Sequence, residues 1–319
     1  MKKTMKNATH IEGYLYEHSL EKKVTGETSK NPGTEYISGV IRIATNNAID
    51  NIVDVHFTYV TPTFGSSGKK NGNWQIMLDI IEGVKYKTYM EVGEEATKLD
   101  IDSSIALNEF YSDRNSQNGE MELVSTKRNE GGFIHIKKPD EQLKEKEADR
   151  AAFATDMVIT KFKFVDADPE REIKEHAVLG GAIFNFRKEL LPVEYVVYNP
   201  KAIAYFESLG ISNKNPVFTE VRGTQINSTI VKRKEEESAF GEVDVVETKS
   251  SRREFMVTWA KGTPYPWDDE SSITAVEMKE AMANRETYLA EIKKRQDEYA
   301  ASRKAAATAT SSAADGYDF

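Results

Sequence analysis

Residues 35–62 are the stretch that most constrains the fold. Ile37, Gly39, Ile41 and Ile43 alternate with Tyr36, Ser38, Val40 and Arg42, and Val53, Val55, Phe57 and Tyr59 alternate with Asp54, His56, Thr58 and Val60. A period of two in successive runs predicts paired strands with one apolar face and one polar face. Thr45-Asn46-Asn47 supplies the turn between them, and Pro62 closes the second run. A similar ladder occupies residues 175–200. There Gly181-Ala-Ile answers to Gly39-Val-Ile, and the run Leu191 to Pro200 answers to Val53 to Pro62. Downstream, Thr126-Lys127 stands before Phe133 as Thr248-Lys249 stands before Phe255. Matches that keep their order in both halves predict an internal duplication.

The remaining segments fill out each copy. His10 to Thr25 reads as a first strand, and Ser104 to Ser112 as a fourth. Glu122 to Lys138 reads as a hairpin closed around Asn129-Glu-Gly-Gly, and Trp74 to Ile81 as a short helix or a further strand. In the second half Met157 to Val165, the 175–200 ladder, a helix at 200–210, Val217 to Val231 and Val243 to Ala260 repeat the scheme. Five strands with an insert between the third and fourth suit a small Greek-key barrel of the oligonucleotide-binding type. The predicted fold is therefore mainly β with some α, in two tandem barrels. The expected organisation is a flexible leader at 1–9, a first domain at 10–138, a charged helical linker at 139–152 and a second domain at 153–262. A long amphipathic helix over Ile273 to Lys304, capped at Thr274 with Glu277, falls in a C-terminal segment at 263–304, and an Ala/Ser/Thr-rich disordered tail follows at 305–319.

Composition narrows the function. With no cysteine among 319 residues, thiolate metal sites, cysteine nucleophiles and disulfide scaffolds are all excluded, which fits a reducing cytoplasm. No apolar run reaches membrane-helix length, and the basic N-terminus lacks a signal-peptide core. Gly65-Ser-Ser-Gly-Lys-Lys departs from a phosphate loop at both Thr63 and Lys70. His10, His18, His56, His135 and His176 show no metal-binding helical spacing, and Asp100-Ile-Asp102 and Asp166-Ala-Asp168 read as strand-end turns. No catalytic set, cofactor site or metal site is expected. The net charge of −9 opposes polyanion binding, but the acidic residues are bunched at 140–149, 235–247 and 268–270, away from the ladders.

Aromatic and basic residues gather on or beside the ladders. Tyr36, Arg42, His56, Phe64, Lys69, Lys70 and Trp74 do so in the first half, and Phe184, Phe186, Arg187, Lys188, Tyr195 and Tyr198 in the second. Lys127, Arg128, Arg252 and Arg253 would extend the set along the fifth strands. Bases stack on aromatic faces while Lys and Arg follow the phosphates, so the set describes a groove for a single strand. The plainer reading is that many of these rings fill the barrels, since alternation buries one face in two.

The chain ends in Asp315, Tyr317, Asp318 and Phe319 behind a low-complexity tether. That tip resembles the acidic, Phe-terminated tip of bacterial and phage single-stranded DNA-binding proteins. With the tandem barrels, the whole resembles a phage-type member of that group. The resemblance implies coating of unwound DNA in replication, recombination or repair, with the tip docking replication or recombination proteins. The alternative is a phage structural or assembly protein with duplicated β-rich domains and no nucleic-acid role.

Overall fold

The computed structural model describes residues 5–112, 121–169, 173–237 and 243–314. The chain is mostly strand, with few helices. In the first half, β1 (Asn7–His18), β3 (Glu35–Ala44), β4 (Ile52–Val60), β7 (Lys98–Ser112) and β8 (Glu122–Ile136) form the barrel. A short strand β2 (Glu21–Val24) edges β3, and a small pair, β5 (Thr63–Phe64) and β6 (Lys69–Lys70), follows β4. Then come α1 (Gly72–Glu82) and the single turn α2 (Tyr89–Val92). β1 pairs antiparallel with both β3 and β7, β3 with β4, and β7 with β8, while β4 runs parallel to β8. That closed order, with a helix between the third and fourth barrel strands, is the oligonucleotide-binding barrel.

The second half repeats it. β9 (Ala151–Val165) pairs antiparallel with β10 (His176–Phe184) and β12 (Val217–Glu237), β10 with β11 (Leu190–Val197), and β12 with β13 (Val243–Ala260), while β11 runs parallel to β13. α3 (Pro200–Ser208) occupies the place of α1. Each helix is set by its cap. Asn71 accepts from the Asn73 amide at the start of α1, and Asn199 accepts from Lys201 and Ala202 at the start of α3. Trp74, Met77 and Ile80 then turn into the first barrel, and Ile203 and Phe206 into the second.

The two barrels are one sheet. β1 lies antiparallel against β9, with Thr9 opposite Phe153, and this pairing links all eleven strands of the larger sheet. Thr9 also pairs with Ser103, and Phe153 with Gly223, so the two halves correspond through this contact. The duplication is therefore present in the fold, but the short sequence matches are out of register. Phe133 lies opposite Asp102 and corresponds to Trp259 opposite Arg222, not to Phe255. Gly181 corresponds to Ile43, not to Gly39, because the bulge after Leu15 in β1 recurs after Ile159 in β9.

The long hairpins exchange places. The outer part of β12–β13 leaves its own barrel and meets the first, where Asn51 bridges Ser228 and donates to the Gln225 carbonyl at 3.2 Å. Asn129 and Gln225, both buried, exchange side-chain hydrogen bonds of 2.9 and 3.0 Å. In return Ile105, on β7, is buried in the core of the second barrel. The position of Asn129 corresponds to Phe255 and that of Gln225 to Ile105, so the polar lock on one side of the seam faces an apolar one on the other.

Several boundaries differ from the sequence reading. β1 begins at Asn7, inside the span expected to be a leader, because Asp156 accepts from the Lys6 amide and Glu220 from its ammonium, each within 2.7 Å. It ends at His18, and β2 takes the following residues. Residues 139–152 hold one 3-10 turn, Glu147–Asp149, rather than a helix, and β9 starts at Ala151. Glu122 to Ile136 is one bulged strand rather than a hairpin. At that bulge Gly132 has φ 111°, and a Cβ there would sit 2.0 Å from the Asp102 carbonyl oxygen. The C-terminal helix, α4 (Ala275–Ala314), starts as expected with Thr274 and Glu277 capping each other, but continues through the span read as a disordered tether. Val276, Met282, Tyr288 and Tyr299 are exposed, while Met278, Ala281, Leu289 and Ile292 lie on its less exposed side, so the apolar residues are divided between two sides rather than gathered into the one stripe expected. No helix among the described residues is long and apolar enough to cross a membrane.

The amide lock makes a prediction about stability. Gln225→Ala strands the buried Asn129 amide and is expected to cost about 1–3 kcal/mol in urea unfolding. The double variant with Asn129→Ala should cost less than the sum of the two single changes.

Candidate nucleic-acid interface

In a barrel of this type oligonucleotides lie across the outer face of the second and third strands. Here those strands are β3 and β4. Ile37, Ile41, Ile43, Val53, Val55 and Phe57 point inward and are buried, which turns Tyr36, Val40, Arg42, His56 and Thr58 outward. Tyr36 and Tyr59 form a ring pair with centroids 4.9 Å apart and planes tilted by 35°. Simple alternation assigns Tyr59 to the apolar face. A bulge lets Ile37 face Val60 while Gly39 faces Phe57, and the extra residue on β4 turns Tyr59 outward to 49% exposure.

Below the rings, Val40 lies opposite His56 and Arg42 opposite Asp54. Arg42 is not a free cation. Glu17 accepts from it, and Asp54 sits 3.4 Å from its Nε. Burial, and then the neighbouring Arg128, hold the His56 imidazole below its ordinary range, so it is neutral at pH 7. At the end of β4 the β5–β6 pair presents Phe64, Lys69 and Lys70, all exposed, and the two lysines have no ion-pair partner among the described residues.

The other end of the face runs into a groove of about 460 Å³ between the barrels, which brings His56, Lys127, Arg128 and Arg253 together with Asn227 and Phe255. Arg128 also borders an adjoining hollow of about 580 Å³ that includes Arg187, Lys188 and Tyr288. The structure thus gathers sequence-predicted residues of both halves around Arg128. The groove is not uniformly basic, since Arg128 is paired with Glu130 at 2.9 Å and Arg252 with Glu254 at 2.7 Å. Tyr198 donates to Glu254 and lies under the Arg252 guanidinium, 5.2 Å away. Arg253 is exposed and unpaired among the described residues, as are Arg187 and Lys188. The Arg187 guanidinium lies 5.2 Å from the ring of Phe186, which is 88% exposed.

Lys127 is the unusual member. Its ammonium donates to the Glu194 carbonyl and stands 5.0 Å from the Phe255 ring and 5.6 Å from Tyr195. Burial lowers its pKa to about 8, against the opposing pull of Glu194.

Three predicted contact residues are not at the surface. Trp74 is on the inner stripe of α1. Tyr195 is inside the second barrel, accepting from Thr155 at 3.3 Å. Phe184 points outward from β10 but is buried with Val158, Ala182, Leu190, Phe218 and Ile273 beneath Trp267, Met278 and Ala281 of the C-terminal segment. That segment packs over part of the face on the second barrel that stands open on the first, leaving a hollow of about 880 Å³ beside Gly180, Pro192 and Glu194. Arg285 of α4 fastens it by donating to the buried Glu109 carboxylate and to the Leu190 carbonyl, and Gln296 exchanges bonds with the Tyr111 backbone. Asp315, Tyr317, Asp318 and Phe319 lie outside the described residues.

The family model for YorF matches residues 6–295, nearly the whole chain. The chain belongs to the YorF family. No curated protein matches it. Among solved structures, it is similar to a deletion mutant of the single-stranded DNA-binding protein from Thermus aquaticus, at 10% identity and a TM-score of 0.43, over 81% of this chain and 94% of that one. At that distance the similarity says nothing of what this YorF-family chain binds.

The lysine at the seam leads to a pH-dependent prediction. An unfolded lysine titrates near 10.5, whereas Lys127 in the fold titrates near 8, so between those values the unfolded chain holds more protons. The stability difference between the native chain and Lys127→Met should therefore shift in favour of the native chain as pH rises from 8 to 10. It should stay level below pH 7, as read by urea unfolding at each pH.

Proposed function

We propose that this chain binds single-stranded DNA without reading its sequence, on a path that crosses the open β3–β4 face and enters the groove between the barrels. The observation that carries the reading is the outward-facing Tyr36–Tyr59 ring pair on that face, Tyr59 exposed and Tyr36 half-buried, with Lys69 and Lys70, unpaired among the described residues, nearby in sequence and Arg253 in the groove. Successive bases would stack on the rings, each ring contributing about 1–3 kcal/mol, and the unpaired cations would neutralise backbone phosphates. The second barrel supports the path through Arg253, Arg187 and Lys188 rather than through its own strand face, against which the C-terminal segment packs. On this reading the protein has no catalytic role. It works in the cytoplasm on unwound DNA during phage replication or recombination, and Asp315, Tyr317, Asp318 and Phe319 dock other replication proteins.

An assembly role is the second reading, and α4 favours it, since a long helix with Val276, Met282, Tyr288 and Tyr299 exposed suits a seam between copies. Anisotropy of a labelled oligo-dT separates the two. Binding at low salt is expected, with Tyr36→Ala and Tyr59→Ala each lowering affinity at least ~5-fold. Replacing Lys69, Lys70 and Arg253 in turn by Ala should make the salt slope shallower by about 0.7 for each phosphate that is no longer neutralised. No binding at low salt would overturn the DNA reading.

A further inference from the structure

We propose that strands β1, β7 and β8 of the first barrel hold a divalent transition-metal ion of the Zn²⁺, Co²⁺ or Ni²⁺ class, bound by His10, Asp102 and Asp100, with His135 completing the set. The sequence placed Asp100 and Asp102 at a turn and found no histidine spacing for a metal. In the structure both aspartates lie within β7, and the histidines come from the strands on either side, where His10 is opposite Asp102 and His135 opposite Asp100. Donor atoms of His10, Asp100 and Asp102 all lie within 4.8 Å of one another. His10 Nδ1 is 2.7 Å from Asp102 Oδ1, and His135 Nε2 is 3.9 Å from Asp102 Oδ2. Neighbouring donors on a tetrahedral zinc stand roughly 3.3 Å apart, so small side-chain shifts suffice for His10, Asp100 and Asp102, and a larger one brings in His135 from beside Asp102. Imidazole and carboxylate donors suit this class of ion.

A second observation lies behind His10. Glu12 is 1% exposed, and its Oε2 has no hydrogen bond, with the Lys144 ammonium 3.5 Å away. It faces His10 Nε2 at 3.5 Å, and that nitrogen is likewise buried without a hydrogen bond. If the His10 proton sits on Nδ1, toward Asp102, a lone pair points at a buried carboxylate. A metal on Nδ1 forces the proton onto Nε2, where it can be donated to Glu12. A carboxylate behind a ligating histidine is the usual support of such a site. Glu12 is held in place for this, because its Oε1 accepts from the Lys144 amide at 3.0 Å and pairs with Lys137 at 3.2 Å. Lys137 also lies 3.6 Å from Asp100 and 3.0 Å from Glu141, whereas Asp102 has no Lys or Arg partner among the described residues. The ion would fasten three neighbouring strands, at Asp100, Asp102 and His135 rather than at the residues of β7 and β8 that line the groove between the barrels.

The test uses the full-length, untagged, chelator-treated protein titrated with CoCl₂ and, in competition, ZnCl₂. One Co²⁺ per chain with visible d–d absorption, displaced by Zn²⁺, is the expected result. His10→Ala, His135→Ala and the near-isosteric Asp102→Asn should each weaken binding at least ~10-fold, and Glu12→Gln by about 10–100-fold. His176→Ala, outside the cluster, should change nothing. Absence of cobalt absorption in the native chain, or binding that survives both His10→Ala and Asp102→Asn, would overturn the site. So would a histidine NMR spectrum in which His10 is a full imidazolium at neutral pH and does not respond to Zn²⁺.

Discussion

The architecture depends on one backbone contact, the antiparallel pairing of β1 with β9. Because Thr9 faces its own counterpart Phe153, the two barrels meet through equivalent strands, and everything beyond that strand on one side has a partner on the other. The pairing aims the β7–β8 hairpin at the second barrel and the β12–β13 hairpin at the first. Each barrel therefore borrows from its neighbour, Ile105 in one direction and the Asn129–Gln225 lock in the other. A buried amide pair tolerates little displacement, since parting it leaves two polar groups without partners. The groove between the barrels is then a fixed shape, with walls contributed by both halves.

Alternation in the sequence was enough to find most strands, because burial of one face imposes period two wherever a barrel wall runs straight. It failed where the wall bends. At Gly132 a bulge kinks β8, and the Gly-Gly pair reads like a turn although the strand continues. At Gly39 another bulge slips the register by one residue and sends Tyr59 outward. The duplication was legible in strand count and order, but the matching tripeptides that pointed to it were accidents of composition at non-equivalent positions. The charged run at 139–152 looked helical because Glu and Lys favour helices, yet here Lys137 and Lys144 are drawn to the buried Glu12 and the chain crosses as a loop.

The candidate site was half legible for a related reason. Strand periodicity divides residues into two sets without saying which set meets solvent. For Tyr36, Arg42 and His56 the apolar set went inside, as the pattern implied. Tyr195 belongs to an inward set that contains a polar hydroxyl, which burial pushes to a higher pKa and Thr155 satisfies. Phe184 belongs to an outward set that became a second small core once the C-terminal segment packed over it. Nothing local to residues 176–184 announces that cover, which comes from residues 265–281. The same distance hides the clustering of Arg128 with Arg187, Lys188 and Arg253, a product of the seam between barrels.

Charge decides how such a surface would hold a polyanion. At a net charge of −9 the molecule as a whole repels phosphates, and three of the arginines on or beside the proposed path already hold carboxylates: Arg42 with Glu17 and Asp54, Arg128 with Glu130, Arg252 with Glu254. A phosphate arriving at any of these must displace an acid, so the gain is the difference between two ion pairs rather than the whole of one. The rings meet no such competition, because Tyr59 is exposed, Tyr36 is half-buried beside it, and the two are already tilted toward each other. On the proposed reading, stacking supplies most of the affinity and the few cations unpaired among the described residues supply the rest. On that reading duplex DNA would be held weakly, because its bases are stacked on one another and its phosphates alone would find too little free positive charge.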